Sequence, residues 1–493
     1  MLDNSGADVS IDRMWRSSMM ANAARDPYWQ ATVRSEGLEH PELRSVIEQK
    51  CATCHMPMAE FSAQATGQEA LILDDGFLKP DHALNPLALD GVSCNLCHQV
   101  RPDGFGNAQS FSGGYVIDTQ LPFGEREAFG PFEPQPGLAQ LMGSVSGFIP
   151  VQGVHVEKSE MCATCHVLYT PYLDETGQIA GEFPEQAVYL EWQNSAYVAS
   201  SACQTCHMPQ AQGGVQLSIT GGPKRAPFYQ HDFSGGNAYM ANLLLQNGEE
   251  LGVTAASEQF QTTVNLAKDL IEERTAILKV GDLHVDDSTL LGTVQIQSQA
   301  GHKFPTSFPS RRAWLHIVVR EANGQVVFES GAYSPDGSIQ GNDNDADPAK
   351  FEAHYTQLTD EEQVQIYEAI LGDTLGKVTT KLLYASSYLK DNRLLPAGFD
   401  LANAPADIAV HGEAAQDADF IAGGDNLRLA INLGAAQGPF TLQVELLYQS
   451  IGFRWADNFR EYDAMETQRF LNYYQSVPNI PLVVDVTDAQ VGP

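Results

Sequence analysis

Cys51-Ala-Thr-Cys54-His55 is followed by Cys94-Asn-Leu-Cys97-His98, Cys162-Ala-Thr-Cys165-His166 and Cys203-Gln-Thr-Cys206-His207. Each stretch reads Cys-x-x-Cys-His, and together they use all eight cysteines of the chain. The spacing has a chemical meaning. Two thiols one helical turn apart can add to the two vinyl groups of one porphyrin, and the adjacent imidazole then lies under the iron as its axial ligand. Disulfides would need no His after each pair. Thioredoxin-like redox sites do not come four to a chain. Zinc sites would draw about four ligands each from paired Cys-x-x-Cys units. Four repeats with no cysteine left over select four covalently attached haem c groups over these readings.

The rest of the composition agrees. A chain of 493 residues, 43% hydrophobic, is long enough for several domains with real cores. Its 62 acidic residues against 28 Lys and Arg leave a formal charge of -34. That balance argues against nucleic acid or an anionic membrane as partner, since either needs a basic face. No run of 18 apolar residues occurs, so no transmembrane segment is expected. Haem attachment to Cys-x-x-Cys-His takes place outside the cytoplasmic membrane, so a periplasmic or extracellular location is expected. The start, Met1-Leu-Asp-Asn-Ser-Gly, has neither the basic nor the apolar region of a signal peptide and reads as a mature or truncated beginning.

The first cysteines of successive motifs are 43, 68 and 41 residues apart, which suggests two haem pairs joined by a longer insert. That insert, residues 101–153, is rich in Gly and Pro and reads as loop. Residues 1–240 are expected to form a loop-rich haem domain with short helices at the motifs, its apolar core supplied by the porphyrin faces. Two internal echoes support the pairing. Cys-x-Thr-Cys-His-Met-Pro occurs at 51–57 and 203–209, and Trp15-x-x-Ser18-x-Met20 matches Trp192-x-x-Ser195-x-Tyr197. Residues 241–285 read as a helical connector, with Phe260, Val264, Ala267, Ile271 and Leu278 on one stripe. Residues 286–493 read as a β-sandwich-like domain. Leu427, Leu429, Ile431 and Leu433 alternate with polar residues, as do Phe440, Leu442, Val444, Leu446 and Tyr448. Asn323-Gly324 marks a hairpin. A helical insertion is expected at 360–371, opened by Thr359 and Glu362 as a capping box.

Each iron needs a second axial ligand or an open position. Outside the motifs, residues 1–240 hold His40, His82, His155 and His231, four donors for four irons. His302, on a loop of the second domain, is a fifth candidate, and Met20 a sixth that would raise its haem's potential. Met56, Met58 and Met208 follow their motif histidines too closely and read as packing. His284, His316, His354 and His411 read as surface or satisfied core histidines. Asn342-Asp343-Asn344-Asp345-Ala346-Asp347 alternates carboxylates as calcium loops do, but lacks the glycine at the sixth position; it is either a calcium site or a solvated acidic loop.

On its four motifs the chain resembles the multihaem cytochrome c superfamily, specifically tetrahaem members with a C-terminal β domain. Gly301-His-Lys-Phe-Pro-Thr306 and Asp391-Asn-Arg-Leu-Leu-Pro396 are further cues to that β domain. The resemblance implies close-packed haems, in alternating stacked and perpendicular pairs, that carry electrons. Some similar tetrahaem cytochromes polymerise into extracellular filaments in which a neighbouring subunit ligates one haem. In many relatives the Trp-x-x-Ser segment carries a His, where this chain has Met20 and Tyr197. The expectation is therefore an exported electron carrier rather than an enzyme, with redox proteins as partners and self-assembly as an option. The alternative is an oxidoreductase with one open haem acting on a small nitrogen or sulfur compound. Its cationic residues would be Lys303, Arg311 and Arg312.

Overall fold

The computed structural model describes residues 1–218 and 221–492. The chain forms two compact units that alternate along the sequence. The first comprises Met1–Val167, Ser201–Ala267 and Tyr462–Phe470; the second comprises Leu168–Ser200, Lys268–Glu461 and Leu471–Pro493. Residues 168–200, inside the expected haem segment, thus fold with the β-rich unit.

In the first unit, α1 (Pro27–Glu39), α2 (Arg44–His55) and α3 (Pro57–Ala65) lead through the first motif. Asp26 caps α1 by accepting hydrogen bonds from the Tyr28 and Trp29 amides, with Pro27 preset at the first helical position. Proline disfavours helical geometry in the residue before it, so α2 ends at His55 and Pro57 opens α3. The core here is built of small residues, Ala52, Ala59 and Ala63 among them, around Trp29, Met56 and Phe77. The remaining motifs lie on α4 (Cys94–Cys97), α6 (Ser159–His166) and α7 (Cys203–His207). Between α4 and α6 the expected loop is partly ordered. Strands β1 (Glu127–Gly130) and β2 (Ile149–Gln152) pair in parallel and are joined by α5 (Pro136–Ser146). Pro136 opens α5, and Gly147, at a φ of 75°, closes it in the left-handed geometry that glycine adopts without strain. The expected connector contains α8 (Ser257–Arg274), which ends before Leu278; that residue belongs to the following strand.

The second unit begins with a hairpin of β3 (Leu168–Leu173) and β4 (Ile179–Gln186), followed by a short helix, Val188–Gln193. After α8 come β5 (Ala276–Asp286), β6 (Thr289–Ser298), β7 (Arg312–Arg320), β8 (Val326–Ser330), β9 (Ile366–Gly372), β10 (Ser387–Asp391), β11 (Gly424–Asn432), β12 (Phe440–Gln449) and β13 (Leu482–Val491). One sheet orders Gln357–Leu358, β11, β6 and β5. The other orders Val378–Thr379, β9, β7, β12 and β13, with β8 against β7 and β10 against β9. β7 and β12 run antiparallel with Arg312 opposite Gln449 and Arg320 opposite Thr441. Alternate residues of both sheets meet in one core that includes Leu290, Val294, Leu315, Leu429, Val444 and Leu446. The alternation seen in the sequence at 427–433 and 440–448 is this inner face.

The helix expected at 360–371 is instead β9, buried at every position. Gln363, not Glu362, ties the preceding turn, its Oε1 accepting the Thr359 amide at 2.7 Å. Seven apolar or neutralised residues in a central strand have no exposed face to reveal a period of two, so the run is ambiguous by pattern.

Candidate metal centres

Each motif sits at the end of its helix, which aims the histidine past the last turn. His55, His166 and His207 are the final residues of α2, α6 and α7, and His98 follows α4 directly. Three of these rings are oriented by backbone carbonyls. His55 Nδ1 donates to Ala23 at 3.2 Å, His98 Nδ1 to Phe129 at 2.5 Å and His207 Nδ1 to Ser234 at 2.6 Å. A carbonyl only accepts, so the proton is fixed on Nδ1 and Nε2 keeps its lone pair. This is the arrangement a metal-ligating imidazole requires. Trp29 stacks on the His55 ring at 4.4 Å with 3° between planes. Burial pushes His55 down to about 4 and lowers His207 as well, so both rings are neutral donors at ordinary pH.

The thiols are gathered rather than scattered. Cys54 is hydrogen-bonded to Cys165, and Cys162 to Cys203. Hydrogen bonding with its partner, then burial, raises Cys54 and Cys162; the same hydrogen bonds lower Cys165 and bring Cys203 to about 7 against the opposing effect of burial. Burial pushes Cys97 up to about 12. The two thiols of each motif beside an imidazole, with Nδ1 of His55, His98 and His207 already donating to a carbonyl, fit a covalently held porphyrin iron.

Of the candidate distal donors, His231 lies opposite a motif histidine. Its ring lies 6.5 Å from that of His98, with 24° between planes. Its Nδ1 donates to the Tyr229 carbonyl at 3.0 Å, so its Nε2 is likewise unprotonated. Burial, and secondarily the nearby His98, push it down to about 4. His155 is not presented this way. Its Nε2 is bonded to the Val100 carbonyl at 2.9 Å, and its ring is edged by Phe105 and Phe129. His82 Nδ1 accepts the Leu84 amide at 3.1 Å, which leaves the proton on Nε2. His40 is buried at the end of α1, with Nδ1 3.8 Å from Glu42. The Met20 backbone carbonyl accepts the Val92 amide at 3.0 Å, two residues before Cys94. His302 belongs to the second unit, with Nδ1 turned to the Lys303 carbonyl at 2.8 Å.

Two of the three cations expected over an open haem are engaged in other bonds. Lys303 Nζ is fully buried and bonded to Asp391 at 2.7 Å, and Arg312 forms a two-pronged pair with Asp345 at 2.8 and 3.0 Å. That second pair also engages one carboxylate of the possible calcium loop. The Asp345 carboxylate is taken by a guanidinium and by the Ile339 amide, and Asp343–Ala346 is a helical turn. A different trio, His354, Asp417 and Asp425, brings ligand atoms within 4.8 Å. There, however, the Gln365 and Asn392 amides both donate to His354 Nδ1 at 3.0 Å. Gln365 Oε1 holds the Tyr355 amide and Asn392 Oδ1 the Glu368 amide, so neither side chain is free to turn over. The His354 proton is therefore on Nε2, facing Asp417 at 3.1 Å, and the trio is a hydrogen-bond network.

The orienting groups Ala23, Phe129 and Ser234 act through main-chain carbonyls, which no residue pattern announces. Trp29 carries no signal beyond being aromatic.

No protein-family model and no curated protein matches this chain. Among solved structures its fold is similar to that of a penta-haem cytochrome c552 from Thermochromatium tepidum, with a TM-score of 0.51 and 16% identity over 97% of this chain and 95% of that one. The chain therefore has the fold of a multihaem cytochrome c. Among the described residues, no helix is long and apolar enough to cross a membrane.

Proposed function

We propose that this protein is an exported tetrahaem c-type cytochrome that carries electrons through closely packed haems, each bolted to one of the four motifs. The facing pair of His98 and His231 carries the reading. Metal–imidazole bonds of about 2 Å on either side of an iron put the two ring centroids roughly 6 Å apart, and these lie at 6.5 Å with both Nδ1 atoms already committed. His98 and His231 would hold an iron between them and leave no room there for substrate, which suits a carrier. Bound haem would supply a one-electron couple. The protein's own part is to orient the imidazoles through Ala23, Phe129 and Ser234 and to exclude water. The structural neighbour is described as penta-haem, whereas this chain carries four attachment motifs.

Redox proteins with basic faces are the proposed partners. Assembly into a filament is a second form of the same reading. From Pro134 to Val156 this strongly acidic chain has no Asp, Glu, Lys or Arg. Val145, within that stretch, is 82% exposed and nearby Phe123 is 84% exposed. Two copies could meet there without charge repulsion.

The test is spectroscopic. Intact mass should show four porphyrin adducts, and the irons should be low-spin. His231→Ala should convert one iron of the four to high spin while leaving the adduct count at four. An unmodified mass, or an unchanged spin state in the variant, overturns the assignment.

A further inference from the structure

The four motif helices do not meet as equal neighbours. Cys54 of the first motif is hydrogen-bonded to Cys165 of the third, and Cys162 of the third to Cys203 of the fourth. The second motif reaches the third through the backbone: the Val100 carbonyl, two residues after His98, is bonded by His155 Nε2 at 2.9 Å, four residues before Ser159 opens the third motif's helix. The third motif takes part in each of these links.

The backbone makes the same arrangement. Residues 112–115 clamp the first motif to the third. The Ser112 and Gly113 amides donate to Val167 and Thr164 at 2.8 and 2.7 Å. From the other side, Tyr115 donates its hydroxyl to the Thr53 carbonyl at 3.1 Å, and Lys50 donates to the Ser112 carbonyl at 3.1 Å. The approach is close enough to demand glycine. A Cβ on Gly113, whose φ is +82°, would stand 2.3 Å from Thr53 Cγ2. The fourth motif is docked on the third by other bonds. Ser159 Oγ accepts the Cys203 amide at 3.1 Å, and Gln204 donates to the Val156 and Lys158 carbonyls at 3.2 and 2.9 Å.

Addition of each thiol to a vinyl group removes the S–H but leaves the sulfur on its helix. Sulfurs held as near one another as these would therefore bring the two porphyrin edges that carry them near van der Waals range, where electron tunnelling is fast. We propose that the haem bound by Cys162 and Cys165 is the junction of the four, a branch point through which the other three exchange electrons. This rests on the haem reading above. One rival route exists. The loop at 229–234 links the second and fourth motifs, His231 facing His98 while the Ser234 carbonyl takes the His207 proton. That link runs through polypeptide.

The experiment uses the full-length, haem-loaded protein. Intact mass first counts the haems, so a wild type without adducts fails the haem reading and not the branching. The Cys162→Ser/Cys165→Ser variant is then compared with Cys94→Ser/Cys97→Ser, each expected to carry three haems. Reduction by dithionite is followed by stopped flow, together with electron paramagnetic resonance of partly reduced samples. Losing the third haem should abolish the shared fast phase and the spin coupling of the remaining three. Losing the second should preserve both. Retention of the fast phase without the third haem, or its loss with the second, overturns the branch and favours a linear order or the 229–234 route. Should the first variant not accumulate, His166→Met keeps the thioethers and raises that one haem's potential. The branch then requires the apparent potentials of all three other haems to shift, and a shift in only one of them overturns it.

Discussion

Asp425 is 2% exposed, takes a hydrogen bond from Tyr367 at 2.6 Å on one oxygen and has no partner on the other. Burial pushes its carboxyl up to about 7 against the pull of Tyr367. The folded protein therefore holds a proton that the unfolded chain releases near 4. The resulting stability is full at the acid end and is lost as pH rises through about 7. Asp425→Asn keeps the acceptor for Tyr367 and removes the titration. By calorimetry it should melt higher than the wild type at pH 8, with the gap closing toward pH 5. Asp391 behaves oppositely. Burial alone would raise it, but Arg393 and Lys303 hold it far below the usual carboxylate range. Its contribution is present above that range and is lost as pH falls through the depressed value. Asp391→Asn leaves two buried cations short of a partner and should cost about 3–5 kcal/mol by denaturant titration. These residues belong to the Gly301–Thr306 and Asp391–Pro396 stretches, which stood out in the sequence. Their joint purpose did not, because it needs Glu191 too. That residue pairs with Arg393 at 2.9 Å and accepts the Thr306 hydroxyl and the Lys303 amide.

Elements with a polar face were legible, and elements without one were not. β11 and β12 line the core with alternate residues and announced themselves by that alternation. β9 is buried on both faces and resembled a helix next to a capping signal that Gln363 subverts. Leu278 fits the stripe of α8 by spacing, yet the chain turns into β5 at Ala276 because its Ile277 and Leu278 register against Gln297 and Ile296. Leu315, fully buried at the centre of β7, should lose about 2–5 kcal/mol on truncation to alanine, the removed methyl groups plus the cavity they leave. A loss under about 1 kcal/mol in denaturant titration would mean that the two sheets collapse around the gap.

At the scale of the molecule, the formal charge of -34 and the interleaving of the two units matter most. The charge was fully readable from composition. Under the proposed reading it steers basic redox partners, so the association rate measured by stopped flow should fall steeply as salt rises. A rate indifferent to salt would place docking on an uncharged patch instead. The interleaving was not readable. The segment from Leu168 to Ser200 leaves the third motif, folds with the β-rich unit and returns to the fourth. Its local pattern is that of any hairpin and short helix, and only its partners reveal its place. Those partners include Gln299, whose carbonyl takes the Tyr197 hydroxyl, and Ala397, whose carbonyl takes the Ala196 amide.

Residue order alone dictated the chemistry of attachment, because two thiols and an imidazole at fixed spacing define a porphyrin site locally, within one turn of helix. It likewise dictated the strongly acidic surface and the alternating strands. That His231 faces His98, and which carbonyls aim the rings of His55, His98 and His207, were settled only by tertiary folding. Those relations depend on backbone groups and on residues scores of positions apart, brought together by packing that leaves no local mark in the sequence.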